Sequence, residues 1–160
     1  MIRKVKPEDA RDIALIYNYY IEKSTITFET DPVSVEEMSE RIAAISGKYL
    51  YFVYEESGKV IGYCYVSSWK KKAAYNKTVE STIYIEKDFQ GQGIGRALMN
   101  ELINKLKEKS FHAVIACITT PNPESVKLHE KLGFRQVSEF KEVGYKFEKW
   151  LDVGDWELLL

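Results

Sequence analysis

The sequence predicts an α/β fold, a mixed sheet of about seven strands flanked by about four helices. Apolar residues recur at helical spacing in several stretches, and β-branched or aromatic runs fill the segments between them. Glycine and proline punctuate most of the boundaries.

Residues 2–5 form a short β-branched start, and Pro7 suits the first turn of a helix, where its missing N–H would be unpaired anyway. Ala10, Ile13, Ile16, Tyr17 and Tyr20 mark one face of that helix. Residues 24–32 are rich in β-branched side chains but end in a breaker, so a loop is expected. Ser34 and Glu37 have capping-box spacing, and Val35, Met38, Ile42 and Ile45 then recur at helical intervals until Gly47. Residues 49–55 and 60–68 read as antiparallel strands around Glu56-Ser57-Gly58-Lys59, whose glycine permits a hairpin turn.

The stretch 69–77 is basic and aromatic without a regular period, and 78–85 (TVESTIYI) is a strand by propensity. From Gly93 to about Lys109 the pattern is helical, with Ile94, Leu98, Leu102 and Leu106 as its buried stripe. Residues 112–119 (HAVIACIT) are almost continuously apolar, as a strand covered on both faces requires. Asn122 as N-cap and Pro123 as first helical residue open a last helix, which Gly133 ends in the left-handed conformation. Residues 134–143 and 153–160 are the closing strands.

A chain of 160 residues that is 45% hydrophobic can bury one sizeable core, so a single domain over 1–160 is expected. Its 23 basic and 24 acidic side chains are spread along the chain, which implies no nucleic-acid partner. Cys64 and Cys117 lie far apart in apolar runs, neither a disulfide framework nor metal-ligand spacing. Both are read as buried thiols in a reducing cytoplasm, with no metal. The N-terminus lacks a signal-peptide core and no apolar run approaches the ~20 residues of a membrane span, so no membrane partner is expected.

The chemistry concentrates in Gln90-Gly91-Gln92-Gly93-Ile94-Gly95-Arg96, between a strand and the start of a long helix. Glycines let backbone amides approach a ligand, and a helix start adds unpaired donors and positive potential, so a pyrophosphate suits this loop. A nucleotide P-loop would need Lys-Ser/Thr where Arg96-Ala97 stands. A dinucleotide fingerprint would need a glycine where Arg96 stands. The pattern that remains, Gln90, Gly93 and Gly95 as Q-x-x-G-x-G, resembles the acetyl-coenzyme A loop of the GNAT superfamily of N-acetyltransferases.

The resemblance runs nearly end to end. Asn122 to Phe134 (NPESVKLHEKLGF) looks like the second signature of that superfamily. STITFETDP (24–32), WKKKAAY (69–75), ESTIYI (80–85), PNPESVKLHEKLGF (121–134) and DVGDW (152–156) resemble the phosphinothricin and methionine sulfoximine acetyltransferases. It implies a mostly antiparallel sheet, a homodimer, and acetyl-coenzyme A as cosubstrate. It places Ile83, Tyr84 and Ile85 along the pantetheine, and Gln90 to Arg96 (with Gly91, Gln92, Gly93, Ile94 and Gly95) around the diphosphate. Asn122 and Ser125 face the cofactor from the last helix.

Acetyl transfer to an amine needs a proton acceptor for the amine and a proton for the departing thiolate. Glu80 alternates with Thr78, Thr82 and Tyr84 on one strand face and, by the resemblance, is the general base. His129 lies one helical turn beyond Ser125, where many superfamily members carry a tyrosine near the sulfur; an imidazole can donate there. Trp69, Lys70, Lys72 and Tyr75 combine aromatic walls with cations and suit a small amine that also bears an acidic group. Lys72 stands where the herbicide-acetylating relatives carry arginine, so an anion there would meet a point charge without a bidentate fork. Phe28 with Thr27 would shape the opposite wall. A coenzyme A sensor without turnover, or acetylation of a polyamine or protein N-terminus, remain alternatives.

Overall fold

Alternate residues of a strand point to opposite faces of its sheet, and the apolar strands here use both faces. The computed structural model describes residues 1–160. One seven-stranded sheet takes, in spatial order, β1 (Ile2–Lys4), β2 (Tyr51–Glu56), β3 (Lys59–Ser68), β4 (Thr78–Ile85), β5 (Ala113–Thr120), β7 (Lys149–Leu159) and β6 (Arg135–Lys146). All neighbours are antiparallel except β4 with β5. Four helices, α1 (Ala10–Lys23), α2 (Val35–Ser46), α3 (Ile94–Glu108) and α4 (Pro123–Lys131), complete the expected mixed architecture. No helix is long and apolar enough to cross a membrane.

Tyr51, Val53 and Tyr63 turn one sheet face toward Ile13, Ile16 and Tyr20 of α1 and Met38 and Ile42 of α2. Phe52, Cys64, Val79, Val114 and Ala116 turn the other face toward α3. The stripe expected on α3 is the centre of that layer, with Leu98, Leu102 and Leu106 at 0% exposure. Truncating one of these leucines to alanine costs about 2–5 kcal/mol, the usual range for a buried cavity.

Local signals hold at most boundaries. Asn122 Oδ1 accepts from the Ser125 amide at 3.2 Å, and Gly133 has φ +94°. Ser57 and Gly58, with φ of 51° and 80°, make the two-residue turn between β2 and β3. Only half of the capping box forms: Ser34 Oγ accepts from the Glu37 amide at 3.0 Å, while the Glu37 carboxylate pairs with Arg41 at 2.6 Å.

Two expectations need correction. The closing strands are longer than 134–143 and 153–160 and join as one hairpin, β6 to β7, turning at Phe147-Glu148. Both turn residues have positive φ, 52° and 59°, although neither is a type that favours that region, so their sequence carries no turn signature. The second concerns Cys117, expected to be buried and found exposed, whereas Cys64 is fully buried. The layer formed by α1 and α2 packs on β2 and β3 and does not extend over the face of β5 that carries Cys117.

Candidate active site

β4 and β5 pair only from Thr78–Ala113 to Ser81–Ala116, although β4 continues to Ile85 and β5 to Thr120. The strands part there, and the backbone groups along their facing edges need partners other than each other. A cleft of about 230 Å³ opens at this point, lined by residues 80–84 of β4 and 116–119 of β5. Asn122 at the cap of α4, Ser125 and His129 within it, Val153 of β7, and Ile26, Thr27 and Phe28 of the loop after α1 complete it. A larger depression of about 480 Å³, rimmed by Glu8, Arg11, Glu36 and Glu40, lies between α1 and α2 and holds none of the candidate catalytic, cofactor or substrate residues.

Glu80 sits on β4 opposite Ser67 of β3 and Ile115 of β5. Burial raises its carboxyl above the ordinary value, the negative charge of Asp155 adds to the rise, and no basic side chain offsets either effect. His129 is 3% exposed, and its Nδ1 lies 2.8 Å from the Ser125 carbonyl. A carbonyl only accepts, so Nδ1 carries the hydrogen and Nε2 presents a lone pair when the ring is neutral. Burial holds the imidazole below its ordinary value, and the ring of Phe134 packs edge-on against it at 5.0 Å. Asn122, Ser125 and His129 thus share one helix face, as their spacing predicts.

The glycine loop has the form an anionic group needs. Gly91 and Gly93 take φ of 74° and 82°, and Gly93 caps α3. The Ala97 amide bonds the Gly93 carbonyl at 3.0 Å, which leaves the amides of Ile94, Gly95 and Arg96 without a helical acceptor. A Cβ at Gly95 would stand 3.4 Å from Leu128 and 3.6 Å from Ile83, so this glycine sits where α3, α4 and β4 converge. Ile94 is core, while Arg96 is exposed. Gln90 does something its motif did not reveal: Nε2 donates to the Tyr20 hydroxyl at 2.6 Å, and that hydroxyl donates to the Ile85 carbonyl. Gln92 Nε2 donates to the Asp88 carbonyl at 3.3 Å.

The wall opposite is pinned from several sides. Lys146 Nζ donates to the Thr27 carbonyl at 2.8 Å, and Arg41 forks onto Glu29 at 2.8 and 2.7 Å. Tyr17 places its hydroxyl 2.8 Å from Thr27 Oγ1 and donates to Glu29. Phe28 lies over Gly144, where an added Cβ would come within 2.2 Å of its ring. The stretch 69–75 is outside this lining. Trp69 and Tyr75 meet edge to face at 5.3 Å, Lys70 Nζ stands 4.3 Å over the Trp69 ring, and Lys72 is exposed. The stretch leaves β3 beside Glu80, since Ser67 pairs with Glu80 and Ser68 with Val79.

Sequence reading missed Cys117 and Asp155 as neighbours of the site. They face each other across β5 and β7. Alternation from Ile115 to Cys117 to Thr119 shows that these share a face, but only the tertiary structure shows that Cys117 is exposed while the other two are buried.

The acetyltransferase (GNAT) domain family matches residues 2–154 of the chain. A phosphinothricin N-acetyltransferase of Streptomyces viridochromogenes is 37% identical over 96% of this chain and 86% of its own. An L-methionine sulfoximine/L-methionine sulfone acetyltransferase of Salmonella typhimurium is 31% identical over 99% of this chain and 94% of its own. A solved phosphinothricin acetyltransferase of Sinorhizobium meliloti in complex with AcCoA superposes with a TM-score of 0.96 at 36% identity, covering 100% of this chain and 88% of that one. These matches join a parted β4–β5 pair and a glycine loop at the head of α3, and on them the chain belongs to the GNAT acetyltransferase family.

Proposed function

We propose that the protein transfers the acetyl group of acetyl-coenzyme A to the amino group of a small amino-acid-like substrate, of the phosphinothricin, methionine sulfoximine or methionine sulfone type. The observation that carries this reading is the parting of β4 from β5 beside a half-buried Glu80 with no cation on it. The relatives named above acetylate such compounds, by their names.

Acetyl-coenzyme A supplies an acyl group already activated as a thioester. The free amides at the start of α3 would hold its diphosphate, the β4 edge at Ile83, Tyr84 and Ile85 its pantetheine, and Asn122 and Ser125 the opposite side. Glu80 takes a proton from the substrate ammonium, and its raised basicity suits a base working near neutral pH. His129, neutral and with Nε2 free, can accept a proton there and return it as imidazolium, as protonating a departing thiolate requires. Phe28, Trp69, Lys70, Lys72 and Tyr75 would hold the substrate. Lys72, exposed, is the cation offered to its acidic group, while Lys70 lies over the Trp69 ring.

We further place the enzyme in the cytoplasm as a homodimer. Phe140, Val143, Tyr145, Phe147 and Trp150 of the β6–β7 hairpin are each at least half exposed, apolar surface that a second copy would cover. Sedimentation of the purified chain tests this, and a monomer at micromolar concentration would refute it.

Free-thiol release measured across amino acids and their sulfoximine, sulfone and phosphinate analogues tests the activity. Turnover is expected with at least one, and it should disappear in Glu80→Gln while acetyl-coenzyme A still binds. A protein that binds the cofactor but releases thiol with no amine would be a sensor, and the proposal would fall.

A further inference from the structure

We infer that Asp155 is a positioning residue of this reaction: its carboxylate, on the same sheet face as Cys117 and Glu80, tunes Glu80 for accepting the substrate proton. The inference rests on the acetyl-transfer reading above and concerns a side chain outside the cleft lining.

The shared face follows from register. Glu80 lies opposite Ile115 on β5, Cys117 is the next residue on that face, and Asp155 of β7 lies opposite Cys117. Residues paired across strands share a face, so all three project to the side that α1 and α2 leave uncovered. Asp155 is fixed there: Ser138 Oγ donates to its Oδ2 at 2.8 Å and accepts from its amide at 3.0 Å. Cys117 is exposed as a residue but lines the cleft, and desolvation there, then the charges of Asp155 and Glu80, push its thiol up to about 12.

The other charged groups facing this cleft are already engaged: Lys146 of β6 donates to the Thr27 carbonyl at 2.8 Å. β3 offers Ser67 and Tyr65, α4 offers the neutral His129, and the loop after α1 offers Glu29, already held by Arg41. On β7, Glu157 lies opposite Ile115 and stands 3.7 Å from Arg135. Asp155 has no ion-pair partner, and its negative charge adds to burial in raising the Glu80 carboxyl. A neighbouring negative charge favours the protonated carboxyl, so it makes the carboxylate a stronger base. The two carboxylates on this face together repel an anion, which directs the ammonium of the substrate toward them and the acidic group away.

Carboxyl-¹³C NMR of glutamate-labelled protein reads Glu80 directly, its resonance identified by loss in Glu80→Gln. In Asp155→Asn the Glu80 midpoint should move to lower pH, and the acid limb of kcat/KM should follow it. Asp155→Glu, which keeps the charge, should leave both where they are in the unaltered protein. Asp155→Ser is run beside Asp155→Asn, so that a folding defect in one neutral variant leaves the other to decide. A Glu80 midpoint that stays put in the folded neutral variant overturns the inference, whatever the activity. A midpoint that moves in a protein releasing thiol with no amine leaves the charge interaction intact and overturns the acetyl-transfer reading instead.

Discussion

The glycine loop at the head of α3 presents backbone amides and left-handed turns at Gly91 and Gly93, whereas the acceptor side presents side chains delivered by β4, β5, β7, α4 and the loop after α1. A site made of backbone tolerates changes in most of its side chains but not in the conformations its glycines allow. A site made of side chains is sensitive to single atoms. The first should therefore govern how tightly the cofactor is held, and the second how fast the amine reacts.

Replacing Glu80 by Gln should produce the largest effect, a fall in kcat of about 10²–10⁴-fold, the usual contribution of a general base. Calorimetric affinity for acetyl-coenzyme A should be unchanged; a parallel loss would show that the two sides are not separate. On the other side, Gly93→Val forces a β-branched residue into φ +82°. At about 1–2 kcal/mol, this should raise the KM for the cofactor roughly 5–30-fold. The KM for the amine should hold, and Arg96→Ala, which leaves the amides in place, should move the cofactor KM much less.

Removing the Asn122 cap should cost about 1 kcal/mol of folding stability, read by denaturant midpoint. Because that cap starts the helix carrying Ser125 and His129, it tests how far the acceptor side depends on backbone. Glu80 also links activity to stability. Its folded-state carboxyl titrates above the ordinary value, so the folded protein keeps this proton as pH rises and loses stability as the pH passes upward through that range. Glu80→Gln should accordingly be more stable than the unaltered protein at neutral pH, and the two should converge below the ordinary carboxylate range. Equal melting temperatures at neutral pH would show that burial does not strain this carboxylate. The smallest effect is expected at Glu148→Gly, which relieves a positive φ of 59° at the hairpin tip and should add about 0.5 kcal/mol.

The two β-hairpins show why parts of the fold were legible and others were not. Ser57-Gly58 and Phe147-Glu148 both take positive φ at two successive positions, yet only the first contains the residue that makes such a turn cheap. At the second, the pairing of β6 with β7 holds the turn in place, from Lys146–Lys149 down to Arg135–Glu157. The site divides in the same way. Gly93, Gly95, Asn122, Ser125 and His129 could be read from spacing, because loop, cap and helix face are short-range features. The ties from Gln90 to Tyr20, from Lys146 to Thr27 and from Phe28 to Gly144 could not, since their partners are far apart in the chain.

By itself the sequence determined the backbone states of this protein: the left-handed glycines before α3 and after α4, the Asn122-Pro123 helix start, and the buried leucine stripe of α3. Each depends on a residue's own torsional limits or on a repeat a few residues long. Strand order and register alone decided that β4 and β5 separate at Ser81 and Ala116, that Cys117 lies open, and that Asp155 and Glu80 share a face. Those facts rest on which distant segments pair and which faces the helices reach, and no local pattern of side chains encodes either.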